Sequence, residues 1–326
     1  MHVTLLLPGA LLPREVVDAL AEPLAQTALA TVLGRGDLVG DTETEVPAHL
    51  AWLAEHLFQR SLPLVTAPYA YAALAGAVPD GILWHADPVH LEPARDHLVV
   101  TPLAAPPSDD EAAALIAAAD ALAADMDARV LRAANRWFVQ CGRLWDLHAE
   151  PLVTAMGQPL PGVLPQGADA SRWSRLLTEI QMTWHAHPVN EAREARGEPT
   201  VNSLWLHGGG AWSPLERGTF TAVLADAAEW RGAAHAAAIA GAPADAAPSD
   251  GALIVRDDLL TSRLLQDWSG WMAAAGGFDD WLATLARSSE LDVVLAGGAT
   301  VRRLRIRPSD RLKFWRARRL PQVLAE

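Results

Sequence analysis

Residues 184–210 read WHAHPVNEAREARGEPTVNSLWLHGGG, and the prediction of the fold begins from this segment. A long amphipathic helix is expected to end at His187, because the residue before a proline is pushed out of helical backbone angles. A polar loop with two arginines follows, and residues 202–206 are typical of a buried strand. The strand runs into three glycines at 208–210, which allow positive φ and the close approach of a ligand. The segment therefore predicts a helix, a loop, a strand and a glycine turn.

The polar residues of this segment are the usual parts of an anion site. Arginine forks and exposed glycine amides supply charge-assisted hydrogen bonds to phosphate or carboxylate. We therefore predict a ligand site formed by His187, Asn190, Arg193, Arg196, Asn202, His207, Gly208, Gly209 and Gly210. The alternative is a tight turn with solvated arginines, which the spacing taken alone favours.

The histidines of the segment are also candidate metal ligands. His185 and His187 cannot share a helix face, so they converge with His207 only if the helix ends between them, as Pro188 predicts. A metal site would need a carboxylate as well, and none lies nearby in the sequence. Hydrogen-bonded histidines at the end of an element are therefore the favoured interpretation.

A second candidate cluster precedes this segment and consists of His85, Asp87, His90 and Asp96. Residues 81–91 predict a strand, a break at Pro88 and another strand. In an extended chain Asp87 and His90 point to opposite faces, which favours a polar strand edge over a ligand site. These four residues are the second predicted site.

The segment from His187 to Gly210 resembles the archaeal-type cofactor-independent phosphoglycerate mutases. Those proteins carry H-P-(V/I)-N, a basic residue, a glycine, (P/A)-N, a short hydrophobic strand and G-x-G. A closer likeness is to a bacterial group of RpfE-type regulatory or phosphoglycerate mutase-like proteins, over about residues 135–210 and more weakly over 84–100. The resemblance implies an alkaline-phosphatase-like fold, a small phosphorylated acid as substrate, and divalent metal, Mn or Zn, if the mutase activity is present.

The sequence departs from that superfamily where its members hold metal. The first predicted strand, residues 3–7, ends at Pro8-Gly9-Ala10, where the superfamily has a metal-ligating aspartate. The expected Ser or Thr nucleophile and a late His-x-x-x-His are also not found, although two-metal phosphoryl transfer depends on such residues. Asp257 and Asp258 are interpreted as a helix cap.

Two functional predictions follow from the resemblance and the departures. The first is a phosphoglycerate mutase-like protein that binds a small phosphorylated or carboxylate ligand and lacks the complete two-metal site. The alternative is a non-catalytic regulatory protein that acts through a protein partner. The catalytic residues stay unassigned in both, and no metal is assigned.

Composition narrows the class of protein. With 326 residues, 51% hydrophobic and 20% charged, the chain is expected to fold around a sizeable core. The single cysteine, Cys141, fits a reducing compartment. A net charge of −13 disfavours nucleic acid as a partner. No apolar run approaches the ~20 residues of a membrane-spanning helix, and the start does not resemble a signal peptide, so a cytoplasmic protein is predicted.

Short apolar strands alternate with helical patterns along the chain. This predicts an α/β fold with a mixed, mostly parallel central sheet flanked by helices, alkaline-phosphatase-like or a degenerate derivative. We expect one domain over 1–326, with a surface loop or sub-domain junction at 241–250. Ser108 to Glu111 predicts a helix-capping box, and residues 130–140 predict a β-hairpin.

Three further predictions concern single segments. Residues 40–45 are expected to be a solvated loop, residues 220–227 a short helix, and residues 262–286 one long helix. A basic stretch lies between Val301 and Arg319, and its alternation over 303–307 is typical of a charged edge strand. Such a surface could also dock an acidic partner or the protein's own acidic face.

Overall fold

The computed structural model describes residues 1–44, 47–94, 97–101, 103, 105–313, 315–316 and 320–326. The chain forms two compact units: unit one contains residues 1–64 and 214–326, and unit two contains residues 65–213. The predicted junction at 241–250 therefore lies within unit one. A single domain over 1–326 stays a prediction.

The elements are defined as follows. The strands are β1 His2–Pro8, β2 Asp37–Glu43, β3 Ile82–Pro93, β4 Leu98–Thr101, β5 Ala128–Ala133, β6 Arg136–Cys141, β7 Ser203–Ala211, β8 Ala222–Ala225, β9 Ala240–Ala242, β10 Ala252–Val255, β11 Glu290–Ala296 and β12 Thr300–Ile306. The α-helices are α1 Arg14–Ala19, α2 Ala21–Leu24, α3 Ala28–Arg35, α4 Ala48–Leu53, α5 Ala67–Ala75, α6 Asp109–Ala123, α7 Leu152–Ala155, α8 Ala170–His185, α9 Pro188–Ala195, α10 Ala228–Ala236, α11 Leu260–Leu264, α12 Trp268–Gly277, α13 Asp279–Ser288 and α14 Leu320–Leu324. A π-helical turn, Ala54–Phe58, continues α4.

A seven-stranded sheet forms the centre of unit one, in the order β2-β12-β11-β1-β10-β8-β9. The strands β11, β1, β10, β8 and β9 run parallel to one another. β12 is antiparallel to β11, and β2 is antiparallel to β12. Leu5 and Leu7 face the core that includes α3 and α13. Leu6 points to the other face, where α4 packs, and all three leucines are fully buried, as expected for a strand covered on both faces. The predicted α/β fold is confirmed.

Two strands of this sheet lie where the sequence predicted a loop and a helix. β2 lies where a loop was expected from residue 40, although residue 45 is outside the described residues. β8 lies within the predicted helix 220–227, and its four residues are buried between parallel neighbours. Tertiary burial overrides the helix preference of its alanines. The predicted helix 262–286 is three helices, and Asp267 caps α12 by accepting a hydrogen bond from the Gly270 amide.

The basic strand β12 is not at the edge of the sheet, so that prediction is wrong. It lies between β11 and β2, and arginines within it and directly after it bind acids of the same unit. Arg302 donates to both carboxylate oxygens of Asp41, at 2.9 and 2.7 Å, and Arg307 lies 3.1 Å from Asp37. The protein's own acidic strand is therefore the surface that these arginines contact. The end of the basic stretch, at 317–319, is outside the described residues.

Unit two contains an antiparallel sheet with the strand order β4-β3-β6-β5. β7 also pairs with β3, along the side opposite β6. β3 is one continuous strand, so the predicted break at Pro88 is wrong. Pro88 pairs only with Leu204 of β7, because the pairing with β6 ends at His85 and the pairing with β4 begins at His90. A proline is tolerated there because no second neighbour requires its missing N–H.

Several local predictions for unit two are confirmed. β5 and β6 form the predicted hairpin, and Ser108 and Glu111 form the capping box of α6. α8 ends at His185, but the predicted polar loop after it is mostly the helix α9. Within the described residues, no helix is both long and apolar enough to cross a membrane.

Candidate functional sites

Arg193 of the first predicted site lies inside unit two. Its side chain is 1% exposed, and its nitrogens donate to Glu111 Oε2 at 3.1 Å, to the Ala105 carbonyl at 2.5 Å and to the Pro199 carbonyl at 2.8 Å. The guanidinium thus has protein acceptors on each side, and a ligand could reach it only by displacing them. These contacts give Arg193 a structural role, and its role as a ligand contact stays a prediction.

The two asparagines of that site bind backbone. Asn190 donates to the carbonyls of Trp184 and Val201 and accepts from the Val201 amide, each at 2.9 Å. Asn202 accepts from the Leu91 amide at 2.7 Å and donates to the Leu91 carbonyl at 3.0 Å. These side chains join α8 to the start of β7, and β7 to β3, so their hydrogen bonds fix the sheet.

His187 and Arg196 also make local contacts. His187 caps α9, with its Nδ1 accepting from the Val189 amide at 3.2 Å. Arg196 is half-exposed and binds Glu111 at 2.6 Å and Glu198 at 2.7 Å. The predicted nine residues therefore do not surround one pocket.

The three glycines lie within β7 and do not form the predicted turn. Gly208 has a φ of +60°, which disfavours other residues there. A Cβ on Gly209 would lie 2.0 Å from the Trp84 ring, and one on Gly210 would lie 2.6 Å from Val65. The glycines are needed because side chains of unit two pack directly onto this strand.

One residue of the first predicted site meets two of the second. His207 on β7 pairs in register with His85 on β3, and their rings stack with centroids 4.5 Å apart. His207 Nε2 lies 2.8 Å from Asp87 Oδ2. Arg136, which the sequence analysis missed, donates from Nε to Asp87 Oδ1 at 3.1 Å and from Nη2 to His85 Nδ1 at 3.3 Å. We call these four residues the His-Asp cluster.

The other members of the second predicted site do not join it. His90 points away, and its Nδ1 lies 2.9 Å from the Thr200 carbonyl. The opposite orientations of Asp87 and His90 were expected from the strand period. Asp96 is outside the described residues.

Burial and charge fix the protonation of the His-Asp cluster. Burial would raise the pKa of Asp87, but the Arg136 charge and the hydrogen bond with His207 outweigh it and lower that pKa. Burial lowers the pKa of His85 well below its usual value, and the neighbouring His207 and Arg136 add to the effect. The cluster therefore contains a carboxylate and a neutral imidazole at neutral pH.

The tautomer of His85 follows from its neighbour. A guanidinium only donates, so His85 Nδ1 must accept from Arg136 and the proton must lie on Nε2. That nitrogen is buried and has no hydrogen-bond partner among the described residues. In this tautomer Nε2 can donate to an acceptor, and it can bind a metal ion only if the ring proton moves to Nδ1.

A second site lies in unit one, where β1 and β11 end side by side. Arg263 donates from Nη2 to both carboxylate oxygens of Glu326 at 3.0 Å, and from Nε to the Leu11 carbonyl at 2.7 Å. The Gly298 amide donates to Glu326 Oε1 at 2.5 Å. We call Arg263 and the Gly298 amide the anion cradle, because together they hold a carboxylate.

Two further features belong to the anion cradle. A Cβ on Gly297 would lie 1.7 Å from Glu326 Oε1, so glycine is required for the bound carboxylate. His49 on α4 is buried, and burial, with the charge of Arg263, lowers its pKa to about 4. The Gly297-Gly298 pair after a buried strand was the sequence signal for this site. Arg263 carried none, because its partner is 63 residues away.

Asp257 follows β10 at the same edge of the sheet. Burial, and then the charge of Glu229, raise its pKa to about 7. The 3-10 turn there begins at Asp257 and has no side-chain cap, so the predicted helix cap is wrong. Asp258 instead binds Arg256 at 2.8 Å.

No protein-family model matches the chain, and no curated protein matches it. Among solved structures, the PH0037 protein from Pyrococcus horikoshii is 13% identical, with 95% of this chain and 89% of that chain covered and a TM-score of 0.47. The cofactor-independent phosphoglycerate mutase from Thermoplasma acidophilum is 14% identical, with 94% and 89% covered and a TM-score of 0.37. The chain has a mixed α/β fold and is similar in structure to these two proteins.

Proposed function

We propose that the protein binds a small carboxylate or phosphate at the anion cradle of unit one, on a phosphoglycerate mutase-like scaffold without the complete two-metal site. The observation that carries the proposal is the Glu326 carboxylate, which Arg263 and the Gly298 amide already hold. Donors that hold one carboxylate can also hold another.

The position of the cradle supports this proposal. In open α/β sheets, ligands bind beyond the carboxyl ends of the strands. The cradle lies beyond the ends of β1 and β11, which pair in parallel from His2↔Glu290 to Pro8↔Ala296. Its donors therefore lie where this architecture usually places a ligand.

The chemistry of the cradle selects an anion. A guanidinium and a backbone amide are donors only, and both make shorter and stronger hydrogen bonds to an ionised oxygen than to a neutral one. β1 ends at Pro8-Gly9, which offers no carboxylate for a metal ion. The sequence resemblance adds the ligand class, a small phosphorylated acid such as 3-phosphoglycerate.

Glu326 acts in this proposal as an internal competitor. A ligand must displace its side chain, so removing that carboxylate should free the donors. We expect Glu326→Ala to raise the affinity for 3-phosphoglycerate about tenfold or more, which corresponds to ~1.4 kcal/mol. Arg263→Gln should abolish binding, because it removes the charge.

The test is a thermal-shift titration with 3-phosphoglycerate, with and without Mn²⁺. A ligand at 100 times its dissociation constant stabilises the folded state by about 2.7 kcal/mol. Matched controls are Arg287→Gln and Glu22→Ala, which change exposed residues of the same unit. Both should bind like the unmodified chain.

The outcomes separate the interpretations. Stabilisation without metal that increases in Glu326→Ala and disappears in Arg263→Gln supports the proposal. Stabilisation that requires Mn²⁺ contradicts it in favour of a two-metal enzyme. No stabilisation in the unmodified chain or in Glu326→Ala also overturns it, and the regulatory protein with a protein partner is then the function to test.

A further inference from the structure

The His-Asp cluster of unit two combines donor atoms that the anion cradle does not use. His85 and Asp87 lie on β3, and His207 faces His85 from the paired strand β7. One donor atom from each side chain lies within 4.8 Å of the other two. We propose that His85, Asp87 and His207 bind a divalent transition metal ion, with Zn²⁺ as the best match.

The donor set selects this class of metal. Two imidazoles and one carboxylate suit zinc and its neighbours, whereas magnesium and calcium prefer oxygen ligands alone. Three protein ligands also leave a fourth position open, which is the usual arrangement of zinc sites that bind water or substrate. The site is separate from the two-metal arrangement implied by the sequence resemblance, because it lies in unit two.

The ligands are held ready for a metal ion. The strands that carry them are paired in register along β3 and β7, so the backbone is fixed. Donors bound to one zinc ion lie roughly 3–3.5 Å apart, so small side-chain rotations complete the site.

Arg136 is the cation that neutralises Asp87 now. Its side chain is 28% exposed, compared with 11% for Asp87 and 12% for His207, so it has a path to solvent. A metal ion on His85 Nδ1 would take the place of the guanidinium directly. A metal ion on Nε2 would move the ring proton to Nδ1, which could then no longer accept from Arg136. Whichever nitrogen binds the metal ion, His85 can no longer accept a hydrogen bond from Arg136. Binding of the metal ion and binding of Arg136 to His85 therefore exclude each other.

This exclusion gives the proposal its test. Zn²⁺ binding to the full chain, freed of metal with a chelator, is measured by calorimetry, and Co²⁺ binding by visible absorption. We expect one ion per chain and a Co²⁺ spectrum of low-coordinate nitrogen and oxygen ligation. Arg136→Gln should bind Zn²⁺ about tenfold more tightly, because a competing charge is removed.

Two matched variants check the ligands. His207→Gln should weaken Zn²⁺ binding at least tenfold and change the Co²⁺ spectrum. His185→Gln replaces an exposed histidine at the end of α8 and should bind like the unmodified chain. Circular dichroism establishes that each variant is folded, and the Co²⁺ spectrum of the unmodified chain tests the ligand set without any substitution.

The proposal is overturned if the unmodified chain and Arg136→Gln both fail to bind Zn²⁺. It is also overturned if His185→Gln weakens binding as much as His207→Gln, because the ion would then lie elsewhere. The anion titration of unit one is a separate readout, so a failure here leaves the anion-cradle proposal standing, and the reverse also holds.

Discussion

Among the described residues whose raised pKa has a value, Asp257 is shifted furthest, so its ionisation is costly to the folded state. Its pKa rises from 3.8 to about 7, through burial and then through the charge of Glu229, with smaller contributions from Asp258 and Asp226. The stability due to its protonated form is fully present below the unfolded pKa and is lost as the pH rises through about 7. At alkaline pH the partly buried carboxylate therefore destabilises unit one.

We expect Asp257→Asn to be more stable than the unmodified chain at about pH 8, and the gain to shrink toward about pH 4. About three pKa units at ~1.4 kcal/mol each set an upper limit of ~4 kcal/mol. Urea unfolding across this pH range measures the difference. Glu229→Gln should make the stability of the chain depend less on pH, because the charge of Glu229 raises the pKa of Asp257. If the extra stability of Asp257→Asn were the same at every pH, the assignment to Asp257 would be wrong.

Arg193 and Arg196 share Glu111 as a partner but differ in burial. Arg193 is 1% exposed and Arg196 is 46% exposed. Breaking a buried ion pair costs about 3–5 kcal/mol, whereas exposed pairs contribute about 0–1 kcal/mol. We therefore expect Arg193→Ala to lower the free energy of unfolding by several kcal/mol and Arg196→Ala by less than about 1 kcal/mol. Equal losses in urea unfolding would mean that Arg193 is not structural.

The contrast between these arginines shows a limit of sequence analysis at the residue scale. The motif around His187 and Asn190 is visible in the sequence, but two of the three partners described for Arg193, Glu111 and Ala105, lie more than 80 positions away. A buried socket and an exposed anion site use the same residue types. The contact between His207 and Asp87 could not be predicted for the same reason. The two residues lie in separate short segments, which become neighbours only because β3 pairs with β7.

At the scale of elements, β7 depends on its glycines. A Cβ on Gly209 would overlap the Trp84 ring at 2.0 Å, whereas a Cβ on Gly40 of β2 would meet nothing within 4 Å. Overpacking typically costs about 1–3 kcal/mol and occasionally more. We expect Gly209→Ala to lose at least that much stability by thermal unfolding and Gly40→Ala to be nearly neutral. Similar melting temperatures for both variants would contradict the packing of β7 on Trp84.

Elements with strong local signals could be predicted, and those fixed by distant partners could not. The Ser108 box, the β5–β6 hairpin and the apolar strand β10 carry their own turn or burial signals. β8 is an alanine-rich segment that becomes a strand only because β10 and β9 flank it. β2 is polar because it is the edge strand, where alternation is weak and the arginines of β12 supply the partners.

At the scale of the whole molecule, unit two is a continuous segment whose ends lie close together. The Thr66 amide donates to the Gly208 carbonyl at 3.0 Å, and the Tyr69 hydroxyl donates to the Ser213 carbonyl at 3.0 Å. It has its own core around Trp137, Trp173 and Trp184. Close termini and a separate core are typical of a domain that folds alone.

We therefore expect a fragment of residues 65–213 to fold cooperatively, and to keep the Zn²⁺ affinity of the full chain if the His-Asp cluster binds the ion. Thermal unfolding followed by circular dichroism measures the first property. A fragment of residues 1–64 is the control and should stay unfolded, because β1 finds its partners only in β10 and β11. A non-cooperative melt of 65–213 would show that unit two needs the rest of the chain.

The split of unit one around unit two sets an order of events during translation. Val3 pairs with Ala252, so β1 is synthesised about 250 residues before its neighbour β10. At ~5–20 residues per second this interval is roughly 10–50 s. Unit two is synthesised completely within it, while the apolar β1 has no strand to pair with. Nascent chains stalled before β10 emerges should therefore contain a protease-resistant 65–213 and a leading segment that is cleaved, or sheltered only by a chaperone.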